Sequence, residues 1–78
     1  MELKELVGLL ARNLVEHPDK VEVTESEGAA GAQSLLIRVA DEDKGKIIGK
    51  QGKVIKAVRE VVGAAAAKSG QKVLVDLE

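Results

Sequence analysis

Seventy-eight residues, 45% apolar and 32% charged, describe a single globular domain over residues 1–78, too short for two cores and too apolar for disorder. The chain has no cysteine, which excludes a disulfide framework and a thiolate metal site and fits a cytoplasmic setting, and no apolar run approaches the ~20 residues that cross a bilayer. The net charge of −1 hides a separation: Lys44, Lys46, Lys50, Lys53, Lys56 and Arg59 crowd residues 44–59 without an acid, while all 13 acids lie elsewhere, the footprint of a polyanion site on an otherwise acidic chain.

From Leu3 the apolar residues recur at Leu6, Val7, Leu10 and Leu14, one face of a helix of about 15 residues. Acids interspersed in Met1–Leu6 place this start in the fold rather than in a signal peptide. His17-Pro18-Asp19 predicts the stop, because the residue before proline is driven from the helical region and Pro18 has no N–H to donate. His17 is expected to interact with the terminal carbonyls of that helix.

Lys20 to Ser26 alternates, with Val21 and Val23 on one side and Glu22 and Thr24 on the other, and predicts an edge strand. Glu27–Ala32 has loop composition. Ser34 to Ala40 is apolar at nearly every position and predicts a central strand, with Leu35, Ile37 and Val39 opposite Leu36, Arg38 and Ala40. Asp41-Glu42-Asp43 reads as the N-cap and acidic start of a short helix through about Ile48, which Gly49 ends. A second helix from about Lys53 carries Val54, Ile55, Val58, Val61, Val62 and Ala65 on its apolar face and stops at Gly70. Gln71 to Leu77 closes the chain as a strand with Val73, Val75 and Leu77 in phase.

The predicted fold is therefore α+β, in the order αββααβ. An antiparallel hairpin is followed by a crossover to a parallel third strand, giving a mixed three-stranded sheet with three helices on one face. With no aromatic residue the core rests on Leu, Ile, Val and Ala, each contributing about 1.5–3 kcal/mol on full burial. So small a core would gain from dimerisation.

The informative stretch is Ile47-Ile48-Gly49-Lys50-Gln51-Gly52-Lys53-Val54-Ile55, where two helices meet in a turn that needs glycine at both ends. Because the turn opens a helix, unpaired N–H groups and the positive end of the helix dipole face whatever crosses it, a setting suited to a backbone phosphate. Lys50, Lys53 and Lys46 add attraction for a polyanion.

This spacing of Ile-Ile-Gly-X-X-Gly-X-X-Ile before a basic helix resembles the signature of the KH family, and the element order resembles that family's type II arrangement. The resemblance covers the whole chain, whose length is similar to that of the small bacterial single-KH proteins. It implies single-stranded RNA held at Gly49, Lys50, Gln51 and Gly52, with about four nucleotides clamped by the loop. Lys46, Lys53 and Lys56 are then the flanking cations. The bases would lie in a groove between the two loop-flanking helices on one side and the second strand with residues 27–33 on the other. One of Ile47 and Ile48 would line that groove while the other enters the core, and Ile37 or Arg38 would contact bases from the strand side. The resemblance further implies a post-transcriptional regulator or RNA chaperone, and a homodimer or a heterodimer with a larger KH-containing RNA-binding protein. An assembly subunit is the alternative reading, motivated by the close-packing surface of Ala64-Ala65-Ala66-Ala67.

Other phosphate chemistries fit poorly. Gly45, Gly49 and Gly52 match neither the dinucleotide fingerprint nor a Walker loop, and Gly52-Lys53 is followed by Val54 rather than Ser or Thr. His17 is the single histidine and has no cysteine partner or ligand cluster in sequence, so no metal, cofactor or catalytic set is expected.

Overall fold

The computed structural model describes residues 2–28 and 31–78. Helix α1 (Leu3–Leu14) turns Val7, Gly8 and Ala11 inward and lays Leu3, Leu6 and Leu10 against the core. It is shorter than its periodicity predicts, because Val15 is already extended at φ −111° and ψ 165°. The two following N–H groups are drawn away by a distant carboxylate, that of Asp43. A single 3-10 turn over Pro18–Lys20 takes up the residue expected to start the first strand.

Strand β1 (Glu22–Glu27) pairs antiparallel with β2 (Gln33–Arg38), with Val23 opposite Ile37 and Glu25 opposite Leu35. A 3-10 turn at Asp41–Asp43 leads into the five-residue helix α2 (Lys44–Ile48), and after a tight loop α3 (Lys53–Lys68) runs back along the sheet. Strand β3 (Val73–Leu77) then pairs parallel with β2, placing Leu35 opposite Val75. The strand order is β1-β2-β3, so the apolar second strand is central as expected.

Helix α3 ends where Gly70 takes φ +69°. The Gly70 N–H donates to Ala67 at 3.0 Å and the Gln71 N–H to Ala66 at 2.9 Å, the paired bonds of a Schellman cap, which is why glycine is needed there.

The core lies between one face of the sheet and all three helices. Leu35, Ile37, Val39 and Val75 meet Val7, Ala11, Ile47, Ile55, Val58 and Val62. The alternate residues Arg38, Leu74 and Asp76 face solvent on the opposite side of the sheet. The predicted α+β fold, a mixed sheet with three helices on one face, is thus the fold observed.

Both sheet edges are guarded. On the outer edge of β3 the Val75 carbonyl accepts from Arg59 Nε at 2.8 Å, and the Leu77 N–H donates to Asp76 Oδ1 at 2.9 Å. On β1 the exposed Glu22, Glu25 and Glu27 set like charges along the edge, which discourages strand addition.

Candidate nucleic-acid interface

The loop between α2 and α3 is built on backbone conformations that few residues adopt. Gly49 sits at φ 75° and ψ 175°, a region essentially reserved for glycine, and its N–H closes α2 by donating to Gly45 at 2.8 Å. A Cβ on Gly49 would overlap the side chain of Val54 and stand 2.9 Å from its backbone nitrogen. Gly52, at φ 73° and ψ 13°, is left-handed but has open space where a Cβ would go. Between them Gln51 is the one non-glycine with positive φ among the described residues, at 58°. Such a conformation costs about 1–2 kcal/mol for a residue with a side chain.

The result is a four-residue reversal that brings the start of α3 back beside the end of α2. Among the described residues the N–H groups of Lys50 and Gln51 have no backbone acceptor, and both side chains are exposed. These donors stand beside the first turn of a 16-residue helix, which favours an anion there.

The two isoleucines separate. Ile47 is 1% exposed and belongs to the core, while Ile48, the residue immediately before the glycine loop, is 41% exposed. Ile37 is also 1% exposed, packed under the helices, so the base contact expected of it is corrected: a central strand turns this position inward. Arg38 is exposed, but alternation places it on the face of the sheet away from the helices, beside Asp19, Glu22 and Asp41. The strand therefore does not bring Ile37 or Arg38 to the loop.

Glu27, Gly28, Gly31, Ala32 and Gln33, the described residues of the stretch 27–33, do not form the facing wall either. They close the opposite end of the hairpin, where the Gln33 N–H donates to Lys72 at 2.9 Å and an open cleft is lined by Glu25, Glu27, Gly70 and Lys72. Residues 29 and 30 of this stretch lie outside the described residues. Helix α3, 16 residues and about 24 Å long at 1.5 Å per residue, runs between Gly52 and Gly70, and that length separates the stretch from the glycine loop.

Of the six cations in residues 44–59, three have acids of their own. Lys44 meets Asp41 at 3.4 Å, Lys46 meets Glu16 at 3.0 Å, and Arg59 meets Asp76 at 3.2 Å in addition to its bond to the Val75 carbonyl. Lys50, Lys53 and Lys56 are exposed and make no ion pair among the described residues. They run from the loop along the first turns of α3. The free positive charge is thus narrower than the sequence stripe, and it is centred on the Gly-X-X-Gly turn.

The acid run before α2 has another role than the one expected. Asp43 is at the N-cap position of α2 but makes no side-chain cap bond; fully buried, it accepts from the Glu16 N–H at 3.2 Å and the His17 N–H at 3.0 Å. His17 likewise turns from the helix carbonyls toward Glu42, with Nε2 at 4.0 Å from the carboxylate. Ligand atoms of Glu16, His17 and Asp43 come within 4.8 Å of one another, but both Asp43 oxygens already hold backbone donors and Glu16 holds Lys46. These contacts make the cluster a structural knot that ties the end of α1 to the start of α2.

A short helix, a Gly-X-X-Gly reversal and a long basic helix over an αββααβ sheet define a KH domain of the type II arrangement. The family model described as KhpA/KhpB, KH domain, matches residues 4–77. The chain belongs to this KH-domain family, one of non-catalytic domains. It is 44% identical over 77 residues to the RNA-binding protein KhpA of Clostridium acetobutylicum, covering 96% of this chain and 99% of that one. It is 48% identical over 75 residues to the RNA-binding protein KhpA of Caldanaerobacter subterraneus, covering 94% and 96%. Among solved structures, Era from Aquifex aeolicus bound to GDP and aluminium fluoride superposes with a TM-score of 0.69 at 24% identity, and Era in complex with MgGDPNP and nucleotides 1506–1542 of 16S ribosomal RNA with 0.70 at 24%. Each match covers 96% of this chain but only 29% and 28% of the Era chains, and supports the fold. No helix among the described residues is long and apolar enough to cross a membrane.

Proposed function

We propose that the chain binds single-stranded RNA without catalysing a reaction, as a single KH unit that serves bacterial post-transcriptional regulation or RNA chaperoning in the cytoplasm. The observation that carries this reading is the convergence of Lys50, Lys53 and Lys56, all without an acid partner among the described residues, on a loop whose Lys50 and Gln51 N–H groups point to no backbone acceptor. One phosphate sits over the loop and its neighbours track the cations of α3. Ile48, exposed beside Gly49, supplies an aliphatic surface for a base in a chain that has no aromatic residue to stack on it. The relatives at 44% and 48% identity carry the name RNA-binding protein, which supports the same reading.

The test is binding of short fluorescent single-stranded RNAs to the native chain and to Lys50→Asp/Gln51→Asp, with single-stranded DNA of the same sequence alongside. The native chain binds and the double variant, folded, does not. Equal binding by both removes the loop from the site.

A second reading, assembly, has its own observation. Val61 is 51% exposed on the outward side of α3, in line with the exposed Ala57 and Ala64, a narrow apolar stripe of small side chains suited to close helix packing. A second copy, or a larger KH-containing RNA-binding protein, would cover it. Sedimentation gives a dimer that Val61→Asp dissociates; monomer alone at high micromolar concentration would remove this reading.

A further inference from the structure

We infer that Glu16 is an internal competitor of the nucleic-acid phosphate: it occupies Lys46, one helical turn before the glycine loop, and so sets how many cations the RNA meets. The inference rests on the RNA-binding reading above and deepens it. Lys46 precedes Gly49 by three residues, and its ammonium lies 3.0 Å from Glu16 Oε1. By sequence it belongs with Lys50, Lys53 and Lys56; by geometry it is already neutralised.

Ion pairs between exposed side chains are commonly incidental, and these two side chains are 44% and 69% exposed. What distinguishes the pair is how its backbone is held. Glu16 follows the end of α1, where a chain is free to wander, yet its N–H and that of His17 are both bound by Asp43, which is 0% exposed. Asp43 stands immediately before α2 and one helical turn before Lys46. A single buried carboxylate thereby brackets the two segments and presents Glu16 to Lys46, so less conformational freedom is lost when the pair closes.

A phosphate approaching Lys46 must displace one anion with another, and it meets the repulsion of the displaced carboxylate. Lys46 therefore adds little to RNA binding while Glu16 is in place. Removing the carboxylate returns the lysine to the site, raising affinity and adding one cation to those whose counterions are released on binding.

The experiment compares the native chain with Glu16→Gln, Lys46→Ala and the double variant, for a single-stranded RNA at several salt concentrations. Glu27→Gln is the control, since it makes the same change in net charge at the far end of the sheet. Thermal melts establish that each variant is folded. Glu16→Gln is expected to bind about two- to five-fold more tightly at low salt, in line with the worth of one exposed ion pair. Its log–log salt slope steepens by about 0.7, the contribution of one phosphate contact on a single strand. Lys46→Ala is nearly silent in the native background and abolishes the gain in the Glu16→Gln background, and Glu27→Gln changes neither quantity. RNA binding by the native chain with an unchanged slope in Glu16→Gln, or an equal gain from Glu27→Gln, overturns this inference and leaves the RNA-binding reading standing. Absence of RNA binding by the native chain and by Glu16→Gln overturns both.

Discussion

Gly49 and Val54 stand so close across the loop that a β-carbon on the first would overlap the side chain of the second. Val54 is half-buried in the first turn of α3, and its proximity to Gly49 is what lets α2 and α3 meet across only four residues. The two loop glycines are therefore unequal. Gly49→Ala introduces both a disfavoured backbone and a steric overlap, and is expected to cost about 2–4 kcal/mol. Gly52→Ala meets no atom and costs the left-handed conformation alone, about 1–2 kcal/mol, most of which Gly52→Asn recovers. Urea unfolding of the three variants checks this order, and equal losses for Gly49→Ala and Gly52→Ala would refute the steric part.

The adjacent isoleucines divide core from surface. Ile47→Ala removes a side chain that is 1% exposed and is expected to destabilise by about 2–5 kcal/mol, whereas Ile48→Ala changes stability by less than about 1 kcal/mol. The effects on RNA reverse this order: Ile48→Ala, fully folded, binds several-fold more weakly because the base loses its aliphatic surface. Unfolding midpoints and RNA titrations on the same two variants separate the roles.

Arg59 belongs to the sequence stripe but not to the free charge. Its guanidinium joins α3 to the outer edge of β3 through the Val75 carbonyl and Asp76. Arg59→Ala should lower stability by about 1 kcal/mol and leave the salt dependence of RNA binding nearly unchanged. Lys50→Ala, Lys53→Ala and Lys56→Ala should do the opposite, each flattening the log–log slope by about 0.7. The native slope is expected near −2 for three contacts, rather than the roughly −3 that four would give. A slope that responds to Arg59 as strongly as to Lys53 would restore it to the site.

Elements whose signal repeats along the chain are legible in the sequence. The spacing of Leu6, Val7 and Leu10 marks α1, and the alternation of Leu35 and Ile37 marks a strand buried on one face. The Gly-X-X-Gly loop was legible because its glycines are required at fixed positions. The same alternation already contained the correction to Ile37, since a residue in phase with Leu35 faces the core, not a ligand. What was not legible depends on partners far apart in sequence. Asp43 meets Glu16 and His17 across 27 and 26 residues, and Arg59 meets Asp76 across 17. No periodicity records such a pairing, so a run of acids reads as a helix cap and a row of cations as one uninterrupted patch.

Asp43 tests whether this long-range bracket matters to the fold. Its two oxygens hold the N–H groups of Glu16 and His17, the last two backbone donors before Pro18 breaks the chain, and Asp43 itself is fully buried. Asp43→Ala leaves two partly buried N–H groups without an acceptor and is expected to cost about 3 kcal/mol. Asp43→Asn keeps the shape but turns one acceptor into a donor facing another N–H, so it should recover only part of that loss. The loss should also be local in its structural effect: amide exchange at Glu16 and His17 accelerates in Asp43→Asn while Leu35 and Ile37, on the central strand, stay protected relative to global unfolding. If those two amides exchange as slowly in Asp43→Asn as in the native chain, the bracket is not what holds the end of α1 against α2.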